Sequence, residues 1–171
     1  MRIDPCLLVA AALVLPAIAD AAEFDFPPRK AGQWQIEMTP ESSPAMIMDI
    51  CLDEATDRQM MQAGMSISDG MCSDIDMNEA DGTITIDATC TMGAMKTVSH
   101  TVVTGDFQSA YDMTITSTIE GGPPGMPANS TIVQHARWVG DCGSGLAPGD
   151  MMMPGGRKMN IRDMLNTMGG G

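Results

Sequence analysis

From Gln33 the chain alternates, with Trp34, Ile36 and Met38 on one side and Gln33, Gln35 and Glu37 on the other. A period of two is the mark of a half-buried strand. A second strand follows the turn from Pro40 to Pro44 and carries Met46, Met48 and Ile50 on its inner face. Asp53 and Glu54 then favour a helix start and Gly64 is placed to end one, so the spacing predicts a helix over 53–63. Strand signals resume at Ile84 and Ile86, which alternate with Thr83, Thr85 and Asp87 after an Asp81-Gly82 turn. Val98, His100 and Val102 share one face of the next segment, which reads as a buried face with His100 as a satisfied core histidine.

The clearest alternation runs from Tyr111 to Glu120, where Tyr111, Met113, Ile115 and Ile119 oppose Asp112, Thr114, Thr116, Thr118 and Glu120. One wet face and one dry face imply an antiparallel sheet covered on a single side. After the Gly/Pro loop from Gly121 to Pro127, a last strand carries Ile132, Ala136 and Trp138 on one side, with His135 on the other. The pattern predicts a mainly β fold. It is an antiparallel meander of about seven strands, forming an open or partly closed barrel, with one short helix between strands 2 and 3.

The ends of the chain differ from this body. Leu7 to Ile18 is a continuous apolar run followed by Ala19-Asp20-Ala21, so residues 1–21 read as a cleaved signal peptide. The run falls short of the roughly 20 apolar residues needed to span a bilayer, and no stable membrane insertion is expected after cleavage. Residues 22–145 form the predicted β domain, and 146–171 a Gly/Met/Pro-rich tail. Within that tail Ile161, Met164, Leu165 and Met168 fall at helical spacing, which predicts a short amphipathic helix at about 157–168.

Export changes how the cysteines read. Cys6 leaves with the signal, and Cys51, Cys72, Cys90 and Cys142 remain for two disulfides in an oxidising compartment, periplasmic or extracellular. Three connectivities are open. A three-residue Ala80-Asp81-Gly82 loop sets Cys72 opposite Cys90 and leaves Cys51 for Cys142, but the same register sets Asp76 opposite Ile86 and mixes the faces. A two-residue Asp81-Gly82 turn matches Met77 with Ile86 and separates the two sulfurs. The pairing of Cys72 with Cys90 is preferred.

Removing residues 1–21 takes one Arg and two Asp from a chain of net charge −13 and leaves −12. Such a chain repels phosphate backbones, so nucleic acid is excluded as an expected partner. The 19 methionines against six aromatic residues point to an adaptable interior. They also raise copper(I), which thioether sulfur favours. Met46, Met48, Met60 and Met61 read as core filler, which leaves Met151, Met152 and Met153 as the candidate copper(I) ligands. Asp74-Ile75-Asp76-Met77-Asn78 begins like a calcium loop but has Glu79 and Thr85 where Gly and Glu are required. No Gly-x-Ser-x-Gly elbow and no Cys-x-x-Cys pair occurs, and no catalytic residues are assigned.

Four segments occur in succession: Arg29-Lys30-Ala31-Gly32-Gln33-Trp34, Ile50-Cys51-Leu52-Asp53-Glu54-Ala55, Cys72 through Cys90, and Ala136-Arg137-Trp138-Val139-Gly140-Asp141-Cys142. In that order, over about residues 28–143, they resemble a family of bacterial exported proteins known as domain of unknown function 3617. The resemblance implies a periplasmic protein of unassigned role and brings no catalytic residues. The reading is a non-catalytic binding module for a small apolar or soft ligand. The alternatives are a Met-rich copper(I) handler and an envelope-structural protein docking an envelope partner through residues 157–168.

Overall fold

The computed structural model describes residues 26–143 and 145–169. The signal-peptide expectation lies outside them. The mainly β antiparallel expectation is met by one sheet of nine strands, two more than the pattern suggested. In chain order these are β1 (Gly32–Pro40), β2 (Met46–Leu52), β3 (Cys72–Ala80), β4 (Thr83–Met92), β5 (Met95–Asp106), β6 (Ala110–Glu120), β7 (Asn129–Gly140), β8 (Asp150–Met153) and β9 (Arg157–Asn160). Helix α1 (Glu54–Met71) joins β2 to β3, and α2 (Ile161–Gly169) follows β9. The spatial order is β3-β4-β5-β6-β7-β1-β2-β8-β9, so β3 and β9 are free edges and the barrel stays open.

The two extra strands correct the expected tail. Residues 150–160 form a hairpin whose Met151 and Met152 pair with Ile50 and Asp49 of β2. Its Met-Met-Met run does not alternate, which is why a strand was not legible there. Asp150 organises it, accepting from the Ala147 N–H at 2.9 Å, Asn160 Nδ2 at 2.8 Å and Lys158 Nζ at 3.0 Å. The predicted helix at about 157–168 therefore begins later, at Ile161, because Arg157–Asn160 is strand.

Helix α1 is also longer than the predicted 53–63. Asp53 caps it, accepting from the Thr56 N–H at 2.7 Å, and the first acidic turn suits the helix dipole. Gly64 does not end it, and the helix runs on to Met71, where extended Cys72 terminates it. Cys72 is bonded to Cys90, so a covalent tie fixes the stop.

The covered face is built by Trp34, Ile36, Ile50, Leu52, Ile84, Val103, Tyr111 and Ala136. Trp34 is fully buried, donates its indole N–H to Lys30 O at 2.8 Å and lies 5.7 Å from the Tyr111 ring. On β5 the covered residues are Thr101 and Val103, so the expected Val98/His100/Val102 face turns outward. The register decides this, because Val103 lies opposite the buried Ile84 and next to Met113. Met46, expected inside, is exposed at the outer end of β2.

Candidate functional site

The first turn of α1 is docked tightly. Thr56 and Asp57 are buried, and Asp57 takes the Arg29 backbone N–H at 2.9 Å and Arg29 Nε at 2.7 Å. Beyond that turn the helix separates from the sheet. Met65, Ile67 and Met71 are all more than a third exposed.

The floor beneath explains the gap. Ile75, Ala88 and Ser99 form one cross-strand row, and Met77, Ile86 and Thr101 the next. Small side chains at Ala88, Ser99 and Thr101 do not reach the helix, so a cleft of about 840 Å³ opens between α1 and strands β3–β6. Met60, Met61 and Met65 form its roof, and Met77, Ile86 and Met113 its floor. Phe26 lines it as well, as does the Cys72–Cys90 pair where α1 meets β3. A concavity of this size and texture is what an apolar ligand requires. Thioether side chains let it adapt to shape.

Residues 29–34 also fasten the start of β1 against β7. Lys30 O takes the Trp34 indole and Ala31 O the Trp138 indole, at 3.0 Å, while the Lys30 ammonium lies 3.5 Å over the Trp138 ring. Gly32 has φ 131, and a Cβ there would collide with Gly140 O and the Trp138 ring. Each role is structural, and none points a reactive group at the cleft.

The predicted site residues are scattered around it. Both preferred disulfides, Cys72–Cys90 and Cys51–Cys142, are formed. Bonds of this kind persist in an oxidising compartment outside the cytoplasm. Met151, Met152 and Met153 lie on β8, where successive side chains alternate between faces, and Met151 packs against the core. The three sulfurs are thus not gathered on one side. His100 and His135 are exposed and bond Asp87 at 2.8 Å and Asp112 at 2.6 Å. Their partners on β6, Thr116 and Asp112, are four residues apart, on the order of 13 Å, so the two imidazoles do not meet. The false calcium loop is the β3–β4 hairpin.

The cleft was not located from the sequence because the predicted helix stops at Gly64, short of Met65 in its roof. A signal was there: Met60, Met61, Gly64, Met65 and Ser68 continue one helical stripe across the glycine.

A family model described as a protein of unknown function, DUF3617, matches residues 29–142. The chain belongs to this family. The match begins at Arg29, the partner of Asp57, and ends at Cys142, the partner of Cys51. The DUF3617 portion thus contains the whole cleft except Phe26, while the β8–β9 hairpin and α2 lie beyond it. No curated protein and no solved structure matches the chain. Among the described residues, no helix is long and apolar enough to cross a membrane.

Proposed function

We propose that this protein is an exported, periplasmic binding module that holds a small apolar ligand between α1 and the sheet and carries out no chemistry on it. The observation that carries the reading is the methionine-lined cleft of about 840 Å³, roofed by an overhanging helix and floored by Met77, Ile86 and Met113 with small side chains at Ala88, Ser99 and Thr101 between the strands' bulkier ones. Ligand pockets of roughly 300–1,000 Å³ with mainly apolar walls are the usual binding geometry. The two disulfides agree with export, since crosslinks of this kind are kept outside the reducing cytoplasm.

Native mass spectrometry of the protein purified from its own cell envelope tests this directly. The expected spectrum shows a chain beginning at Ala22 or Asp20, lighter by the mass of two disulfides' hydrogens, with a co-purifying small molecule. In parallel, N-phenyl-1-naphthylamine should brighten on binding, and Gly64→Trp, which fills the cleft from the helix, should abolish the signal. A protein that is repeatedly empty and does not brighten the dye overturns the reading.

A further inference from the structure

The cleft runs along α1 from Phe26 and Met60, near the docked first turn, to the Cys72–Cys90 pair past the last turn, which is about 18 Å of helix. A second cavity of about 240 Å³ adjoins it. This side chamber shares Phe26, Met61 and Met65 with the cleft and adds Pro28 and the exposed Glu54–Arg58 pair. Residues that line two cavities stand between them, so the three shared side chains form the partition. Met61 and Met65 lie one turn apart on α1, and their unbranched thioether chains adapt readily to a ligand. Phe26 is the stiff member, because the segment that carries it is held at each step. Pro27 and Pro28 follow it, and each ring locks its own φ. Pro28 O accepts from Gln108 Nε2 at 2.8 Å, Arg29 is gripped by the buried Asp57, and the Lys30 N–H donates to Phe107 O at 2.9 Å. The Phe26 ring is half-buried and packs against the core cluster. It is a fixed wall at one end of the cleft.

Resting on the binding reading above, we infer that Phe26 is the length-determining residue of the site and that the ligand is a single alkyl-type chain. A trough that follows the helix, bounded by a ring at one end and a disulfide at the other, suits an extended chain better than a compact ring system. The chain lies along α1 and stops against Phe26. The side chamber is space that it reaches only when that ring is removed.

The test uses the mature, oxidised protein and the octaethylene glycol ethers of decanol, dodecanol, tetradecanol and hexadecanol, each below its micelle concentration. Each competes against N-phenyl-1-naphthylamine. In the natural protein, affinity should rise about fourfold per added methylene while the chain still finds apolar wall, then level off within the series. Phe26→Ala should move the levelling point to a longer ether. Phe26→Leu keeps an apolar contact with the core and should move it the same way by less, and it decides the matter if circular dichroism shows the alanine variant unfolded. Phe26→Ala/Arg58→Trp refills the side chamber and should restore the natural profile, and Arg58 can be replaced at little cost because its pair with Glu54 is exposed. An affinity that climbs evenly through hexadecanol in the natural protein, equal profiles in the Phe26 variants, or a uniform change at every length overturns the role of Phe26 while the binding module stands. A gain that survives Arg58→Trp sends the extra length elsewhere and overturns the partition. Failure of every ether and the dye to bind the natural protein overturns both readings.

Discussion

Arg29 and Asp57 are joined by a buried ion pair in which the guanidinium and the Arg29 backbone N–H both grip one carboxylate, with only 9% and 4% of their side chains exposed. The pair ties the segment leading into β1 to the first turn of α1. It thereby fixes the end of the helix from which the cleft opens. A carboxylate left alone in that position would be desolvated without compensation. Arg29→Met should therefore cost about 3–5 kcal/mol in urea unfolding, and the double variant Arg29→Met/Asp57→Leu should recover much of it. A single variant losing under about 1 kcal/mol would show that the pair is solvated and does not anchor the helix.

The two disulfides close loops of unequal length. Cys51–Cys142 has a sequence separation of 91 and Cys72–Cys90 one of 18. If each acts mainly by restricting the unfolded chain, the long one is worth about 4–5 kcal/mol and the short one about 3. Replacing Cys51 and Cys142 by Ala should thus lower Tm more than the same change at Cys72 and Cys90. Burial of Cys51 adds to the difference, since its deletion also leaves a cavity. Equal shifts in Tm would count against the entropic account.

The β3–β4 hairpin marks where local pattern reaches its limit. The apolar pattern asks for Met77 opposite Ile86, and the cysteine pattern asks for Cys72 opposite Cys90, which no single register can satisfy. The structure meets both. Asp81 and Gly82, at φ 52 and 73, form a two-residue turn that matches Met77 with Ile86, and a register shift between Cys72 and Asp74 restores the cysteine pair. A bulge costs one residue, here Ser73, and leaves no hydrophobic signature for periodicity to detect. β1, β2, β6 and β7 were legible because each sends large or well-placed apolar residues from one face into the core: Trp34 and Ile36, Ile50 and Leu52, Tyr111, and Ala136. β5 was not, because its covered face uses Thr101 with Val103 while Val98 and Val102 sit outside. The floor of the cleft was hidden for a related reason: the gap comes from small residues between larger ones, and absence of bulk at Ala88 and Ser99 leaves no periodic signal, unlike the helical stripe above it.

Gly64 separates helix stability from ligand binding. It lies mid-helix on α1 beside the cleft, and a Cβ placed there meets nothing within 4 Å. Glycine in a helix interior costs roughly 0.5–1 kcal/mol relative to alanine. Gly64→Ala should accordingly raise stability by about that amount, or Tm by about 2 °C, and leave N-phenyl-1-naphthylamine binding unchanged. Gly64→Trp should keep the fold by circular dichroism and lose the dye. A Gly64→Ala protein that is less stable would mean that α1 sits closer to the sheet than the open cleft allows.

Asp150 gives the fold an acid limit that can be measured. Its carboxyl is held down at about 2 by the Ala147 N–H first, then by the Asn160 amide and the Lys158 ammonium. In the unfolded chain it titrates near the ordinary value of 3.8. Because the folded value is the lower one, the stabilisation is complete above about pH 4 and is lost as the pH falls through about 2. The shift is worth at most about 2 kcal/mol, since Lys158 is half exposed and its charge partly screened. Asp150→Asn keeps an acceptor for the Ala147 N–H but has no charge to titrate. The stability gap between the natural protein and this variant should be flat from pH 7 to 5 and close between pH 4 and 2, read by urea unfolding at each pH. A gap that stays constant to pH 2 would mean that Asp150 keeps its ordinary acidity and that the β8–β9 hairpin is held by strand pairing alone.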